Sequence, residues 1–442
     1  MADITPEIHP LKIADFRFYW MARFMAVLAT MGMVVVIGYQ AYDIARSDYG
    51  MSIREASLQL GLLGLVQFVP LALLTPVAGW AADRWERRTV ARLANSIDML
   101  VALALGWFTF IDGLTLPLLF LFAALHGVAR VFVGPSMSAI GPNIVPPASL
   151  PRAIALSSIA WQIGSVIGPA AGGLMFAAHP SLPYFASACL MLMATISLSF
   201  VGPVYPPPME KKIHPIRQMI DGVRYTWSER FLLGAITLDL FAVLLAGATA
   251  MLPVYARDIL MVGPDGLGQL RAAPAVGASV VALMLTFRPL RHNVGAKMLW
   301  AVVIFGIATI GFGLSHEIGA RVFSDARIGF LDMGAGMAVA LVMLVVLGAS
   351  DMLSVYVRSS LVQLNTPDKM RGRVSSVSGL AISASNELGE LQSGVAAALL
   401  GPVGAVVFGG VGAIFVTAIW AGLFPELKNA RTFEPQYRGK SP

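Results

Sequence analysis

Asp239, Asp351, Glu387 and Glu390 each fall inside a long apolar stretch of the chain. An ionised side chain at the centre of a bilayer costs about 2.5–3.5 kcal/mol on insertion scales, so such a group must face a partner or water and is a candidate for function. The chemistry open to a carboxylate there is proton binding and release. Asp239 lies about eight residues into its stretch, roughly 12 Å along a helix. Asp351 is similarly deep, and Arg358 follows two turns later on the same face. Ser383, Glu387, Glu390 and Gly394 recur at i, i+4, i+7 and i+11, one helical stripe that should line water rather than lipid. Carboxylates that share a low-dielectric cavity compete for one charge, as a proton carrier requires. The spacing leaves a second role open, with Glu387 and Glu390 as structural partners of arginines such as Arg358 or Arg130.

A further set is placed to contact a substrate: Arg23, Asp98, His126, Arg130, Arg358 and Asn386. His126 and Arg130 stand one turn apart on a helix and could hold an anionic group. Asp98 could equally pair with a neighbouring arginine. Arg23 is only about 8 Å into its stretch, shallow enough to snorkel to headgroups.

These residues need long apolar helices to position them. The 442 residues are 57% hydrophobic and 13% charged, against about a quarter charged in soluble domains, so water is not the main solvent of this surface. A hydrocarbon core about 30 Å thick takes roughly 20 apolar residues per helix. Twelve stretches meet that length: 16–42, 58–81, 89–111, 116–140, 152–177, 182–203, 231–255, 267–287, 294–315, 334–362, 374–400 and 402–424. With both termini cytoplasmic, the outer loops hold only Arg46, Arg54, Arg257, Arg271, Arg321 and Arg327 of the 31 Lys and Arg residues, and nearly all the rest fall inside. That asymmetry is the positive-inside pattern. The net charge of +6 is thereby explained by topology, and no basic and aromatic cluster suggests nucleic acid. The N-terminus lacks the features of a cleaved signal, so the first stretch is read as uncleaved. The single cysteine, Cys189, can form neither an intrachain disulfide nor a cysteine metal site.

The longest hydrophilic link holds Pro206-Pro207-Pro208 and Lys211-Lys212 and falls after the sixth stretch. A weak echo between Pro147–Arg152 and Pro367–Arg371 supports the same division. The expected architecture is an all-α membrane protein of twelve transmembrane helices in two pseudo-symmetric six-helix bundles. Residues 1–203 form the first bundle, 204–230 a cytoplasmic central loop, and 231–442 the second bundle with a short cytoplasmic tail.

Between the second and third stretches runs Gly79-Trp80-Ala81-Ala82-Asp83-Arg84-Trp85-Glu86-Arg87-Arg88. Here Gly79 is expected to let backbones approach, Asp83 to face a helix N-terminus or an arginine, and Arg84, Arg87 and Arg88 to hold the loop at the cytoplasmic surface. The second-half counterpart, Arg288-Pro289-Leu290-Arg291-His292, lacks the aspartate. Gly164, Gly168 and Gly172 at four-residue spacing, with Pro169 between, predict close helix packing and slight flexing. The 79–88 segment resembles the signature loop of the major facilitator superfamily, Gly-x-x-x-Asp-Arg-x-Gly-Arg-Arg, with Glu86 in place of its glycine. The Gly164–Gly172 stretch resembles the fifth-helix motif of exporters in that superfamily. Segments 38–43, 270–277, 358–374 (with Arg371 and Arg373) and 385–394 resemble its enterobactin exporter-like efflux branch, and the resemblance covers essentially the whole chain. It implies proton antiport of a small molecule, siderophore-like or amphipathic and toxic, by alternating access, from a monomer in a bacterial-type inner membrane without a cofactor or resident metal.

Other function classes find little support. There is no His-Glu-x-x-His, no Gly-x-Ser-x-Gly and no phosphate-binding Gly-x-x-x-x-Gly-Lys-Ser/Thr, so an enzyme or a direct ATPase lacks its residues. A proton-independent facilitator or a non-transporting sensor is the alternative reading. Metal export ranks lower, because the 6 histidines are scattered and form no His-rich tail.

Overall fold

Backbone N–H and C=O groups find no water in hydrocarbon, so an apolar chain satisfies them internally as helix. The computed structural model describes residues 8–205, 215–323 and 334–434 and follows that rule throughout. Its helices are α1 (Ala14–Ser47), α2 (Ile53–Arg84), α3 (Arg87–Phe110), α4 (Leu116–Asn143), α5 (Leu150–Ala178), α6 (Leu182–Ser199), α7 (Pro215–Ser228), α8 (Arg230–Leu245), α9 (Leu252–Val254), α10 (Gly263–Phe287), α11 (Val294–Gly313), α12 (Ser315–Phe323), α13 (Ala335–Asn365), α14 (Asp368–Leu423) and α15 (Pro425–Lys428). Among the described residues, 11 helical spans are long and apolar enough to cross a membrane. The last of them, Met370–Leu423, has 54 residues, about 80 Å of helix and more than twice the hydrocarbon thickness. Gly401, with φ 78° and followed by Pro402, breaks it in the middle. The eleventh and twelfth expected stretches therefore lie on either side of Gly401.

Two expectations need correction. The link 204–230 is not wholly loop, since α7 occupies 14 of its residues and packs on α14. Gly222 makes that packing possible, because a Cβ there would stand 2.9 Å from the Arg373 carbonyl oxygen. The prolines and lysines at 206–212 lie outside the described residues. The seventh stretch is not one continuous helix either. It stops at Leu245, turns through Gly247, and resumes through a short 3-10 turn and α9 into a π turn closed by Leu260 N–H donating to the Tyr255 carbonyl at 2.7 Å. Broken membrane helices survive only where other groups satisfy the freed backbone. Here the Ser393 hydroxyl donates to the Gly247 carbonyl at 3.2 Å.

The chain forms two compact units. Unit one comprises Met1–Ile44, Val66–Lys212 and Pro264–Gly268. In it α3 packs on α4 and α6, and Phe16, Tyr19, Ile140 and Leu198 meet in a buried core. Unit two comprises Ala45–Leu65, Ile213–Gly263 and Gln269–Pro442. Its spine is α14, against which α7, α8 and α11 pack, while α11 and α12 pack on α13.

Candidate functional site

In unit two, α8 packs beside α13 and brings Asp239 against Arg358. The two side chains form an ion pair, and the residues are only 8% and 4% exposed. Asp351, about two turns before Arg358 on α13, is half-buried and near enough for its charge to act on both. The cluster holds two carboxylates and one guanidinium, and the guanidinium keeps its charge at any pH a protein tolerates. With both aspartates ionised the cluster carries one net negative charge; with one proton bound it is neutral. An unbalanced charge of this kind, buried between membrane helices, is a site at which proton binding changes the local field.

Glu387 and Glu390 are half-buried on α14, and Asn386 is exposed there. Glu390 and Gly394 face the Ala45–Leu65 segment. A Cβ on Gly64 would stand 2.6 Å from the Glu390 Cβ, and one on Gly61 2.9 Å from the Gly394 Cα. At these two positions the stripe makes a close helix contact, Gly61 against Gly394 and Gly64 against Glu390, allowed by the small residues there. Arg358, a suggested partner for the glutamates, is held by Asp239.

In unit one the His126 imidazole Nδ1 lies 2.6 Å from Asp98 Oδ1, with the two residues 0% and 2% exposed. The expectation that Asp98 pairs with an arginine is therefore replaced by a histidine pairing from the next helix. His126 is wholly buried, with its Nδ1 turned toward Asp98. Arg130 instead donates to Gln67 Oε1 at 3.4 Å. Arg23 is half-buried on α1, where it donates to the Tyr19 hydroxyl at 3.4 Å.

One buried polar network went unread in the sequence. The Tyr184 hydroxyl donates to Gln40 Oε1 at 2.6 Å, and Gln40 Nε2 donates to Thr109 Oγ1 at 3.1 Å. An amide in the middle of an apolar helix was the signal available, since such a group needs partners from neighbouring helices.

The 79–88 loop is built by its arginines. Arg87 donates to the Ala82 and Ala139 carbonyls at 3.2 and 3.4 Å, and Arg88 donates to the Val201 carbonyl at 2.5 Å. Arg84 lies over the Trp80 ring at 5.1 Å. Glu86, the departure from the signature glycine, caps α3 by accepting from Thr89 N–H at 3.1 Å and also accepts from Val204 N–H at 3.0 Å. Burial opposes its ionisation, but the hydrogen bonds from Thr89 and Val204 and the charge of Arg88 outweigh it, leaving the Glu86 carboxyl below its ordinary range. The Gly79 expectation is corrected: a Cβ there would meet nothing within 4 Å, so no close backbone approach depends on it. The Asp83 side chain lies outside what the structure describes. In the second half, Arg371 donates to the Gln363 carbonyl at 3.3 Å and Arg373 pairs with Asp221 of α7 at 3.4 Å.

The α5 glycines seat α1. A Cβ on Gly164 would lie 2.7 Å from Val27 Cγ1, one on Gly168 2.8 Å from the Leu28 carbonyl oxygen, and one on Gly172 3.1 Å from the Gly32 carbonyl oxygen. Pro169 stands inside α5 without ending it, and its carbonyl lies 3.1 Å from where a Gly268 Cβ would be. Among the described residues no three His, Cys, Asp or Glu side chains converge as a metal ion requires.

Comparison with known proteins places this architecture. The enterobactin exporter EntS of Escherichia coli O127:H6 is 24% identical over 421 residues, covering 95% of this chain and 94% of that protein. The fold matches a bacterial homolog of the human lysosomal transporter Spinster with a TM-score of 0.69 at 15% identity, covering 95% of this chain and 99% of that one. It matches a D-xylose-proton symporter with a TM-score of 0.68 at 12% identity, covering 93% and 98%. Residues 20–390 match the family description Major Facilitator Superfamily. Helices, spans and sequence relatives thus agree, and this chain belongs to the Major Facilitator Superfamily as a multi-pass membrane transporter.

Proposed function

We propose that this transporter exports a small molecule across the bacterial inner membrane by proton antiport, with both termini cytoplasmic and with Asp239, Arg358 and Asp351 as the proton-exchanging group. The observation that carries the reading is the buried Asp239–Arg358 ion pair with the half-buried Asp351 carboxylate close by. A proton bound to either aspartate neutralises the cluster, and its release restores a negative charge beside Arg358. A substrate or a water path that competes for Arg358 would couple to that event by ordinary electrostatics. The exporter direction draws support from the similarity to EntS over nearly the whole chain. The basic inner loops support the orientation. Siderophore-like or amphipathic toxic compounds are the proposed cargo.

Reconstitution into proteoliposomes tests this directly. Asp239→Asn should abolish uphill export driven by an imposed pH gradient while substrate counterflow persists, because counterflow needs alternating access but no proton. Asp351→Asn should weaken the response to the gradient in the same sense. Unchanged gradient-driven export in both variants would refute the assignment of the cluster, and counterflow alone in the wild-type protein would identify a facilitator.

A further inference from the structure

A pocket of about 180 Å³ opens in unit one between α1, α4 and α5, with Arg23, Tyr19, Ser138, Ser157 and Ser158 supplying its polar groups. We propose that it is a subsite for a small oxyanion, a carboxylate or a phosphate, carried either by the transported molecule or by a lipid headgroup. This deepens the export reading and rests on it only for the identity of the cargo.

Three observations converge on this assignment. First, Arg23 has five N–H donors but makes one long hydrogen bond, to the Tyr19 hydroxyl at 3.4 Å. Its Nε is buried and has no hydrogen-bond partner, and no carboxylate pairs with it among the described residues. A half-buried guanidinium with an unpartnered Nε and no carboxylate beside it is an arrangement that an anion relieves. Second, the position is built. Tyr19 is buried with its ring against Gly141, where a Cβ would stand 3.0 Å from the hydroxyl. The small residue on α4 thus fixes the phenol beside Arg23. Third, the hydroxyls on the opposing walls come from α4 and α5. Ser138 and Ser158 rest on the Gly134 and Ile154 carbonyls at 2.9 and 3.0 Å, contacts a rotor can exchange for an anion. The volume is below the roughly 300–1,000 Å³ of pockets that enclose whole drug-sized ligands. The site therefore takes a head group while the rest of the molecule lies outside it.

The test measures binding with no pH gradient and no transport. The full-length protein is placed in phosphatidylcholine nanodiscs and its thermal midpoint is followed while benzyl phosphate or benzoate is added. A second arm replaces the free probes by phosphatidylglycerol in the disc. Saturable stabilisation in either arm, weakened roughly tenfold or more by Arg23→Gln and less by Arg23→Lys, is the expected result; the arm that responds identifies the source of the oxyanion. Ser157→Ala combined with Ser158→Ala keeps the guanidinium and should weaken binding several-fold, which covers the case of an Arg23→Gln protein that does not fold. Equal stabilisation of wild type and variants, or none in either arm, overturns the subsite. A protein that binds the probes yet ignores a pH gradient would retain the subsite and lose the antiport reading; the converse would do the opposite.

Discussion

Asp98 in unit one and Asp239 in unit two are both buried, and each meets a basic side chain from a neighbouring helix. Their partners differ in a way that separates their roles. Asp98 faces one imidazole, that of His126, and the two make a closed pair. Asp239 faces a guanidinium, which keeps its charge, and Asp351 stands close enough to act on both. The second arrangement is thus a set of two carboxylates around one fixed positive charge. Burial by itself does not single out a proton-exchanging site; the odd carboxylate beside a fixed positive charge is why the proposed site is placed in unit two.

The comparison can be broken most sharply at its centre. Asp239→Ala removes the ion-pair partner of Arg358 and leaves only the more distant Asp351 to offset its charge, and should destabilise the protein by up to about 3–5 kcal/mol in equilibrium unfolding. Removing both partners together, Asp239→Ala with Arg358→Leu, should recover most of that loss, while gradient-driven export stays abolished. His126→Leu is the matching cut in unit one. It leaves one buried carboxylate without its hydrogen-bond partner, so the expected loss is smaller, roughly 2 kcal/mol, and the ratio of gradient-driven export to counterflow should not change. A collapse of that ratio in His126→Leu would move the proton site to unit one and reverse the comparison.

Two smaller effects sharpen the contrast between positions that pack and positions that only look as if they should. Gly168→Ala places a methyl group 2.8 Å from the Leu28 carbonyl oxygen and should cost about 1–3 kcal/mol by overpacking. Gly79→Ala meets open space and should be neutral or stabilise its helix by up to about 1 kcal/mol. Thermal midpoints of the two variants in the same detergent decide between them. Glu86→Gln weakens a cap and should cost about 1 kcal/mol at neutral pH. The Glu86 carboxyl is held below its ordinary range in the folded protein, so its contribution is complete above the unfolded pKa and fades as the pH falls through the folded one. The gap between wild type and Glu86→Gln should therefore close in acid.

Much of the fold is legible in the chain because hydrocarbon leaves the backbone few choices. Span lengths, the break before Pro402 and the four-residue glycine repeat at Gly164, Gly168 and Gly172 are local properties that survive in any environment where backbone hydrogen bonds must be internal. The candidate site is legible in part: the depth of Asp239 and the two-turn spacing of Asp351 and Arg358 follow from helical rise. The break after Leu245 was hidden, because no proline interrupts the stretch there and the freed backbone is satisfied by Ser393 from α14. The helix α7 was hidden too, since its polar sequence reads as loop until Gly222 and Asp221 are seen against Arg373.

By itself the sequence determined that this chain crosses a membrane repeatedly, roughly where its membrane spans lie and which ionisable groups lie within them, since hydropathy and the helical repeat act on neighbours along the chain. Only the tertiary structure decided the partners: Arg358 to Asp239 rather than to a glutamate, and Asp98 to His126 rather than to an arginine. An ion pair is selected by distances of a few ångströms between different helices, and those distances are set by how the helices pack, not by the spacing of residues within any one of them.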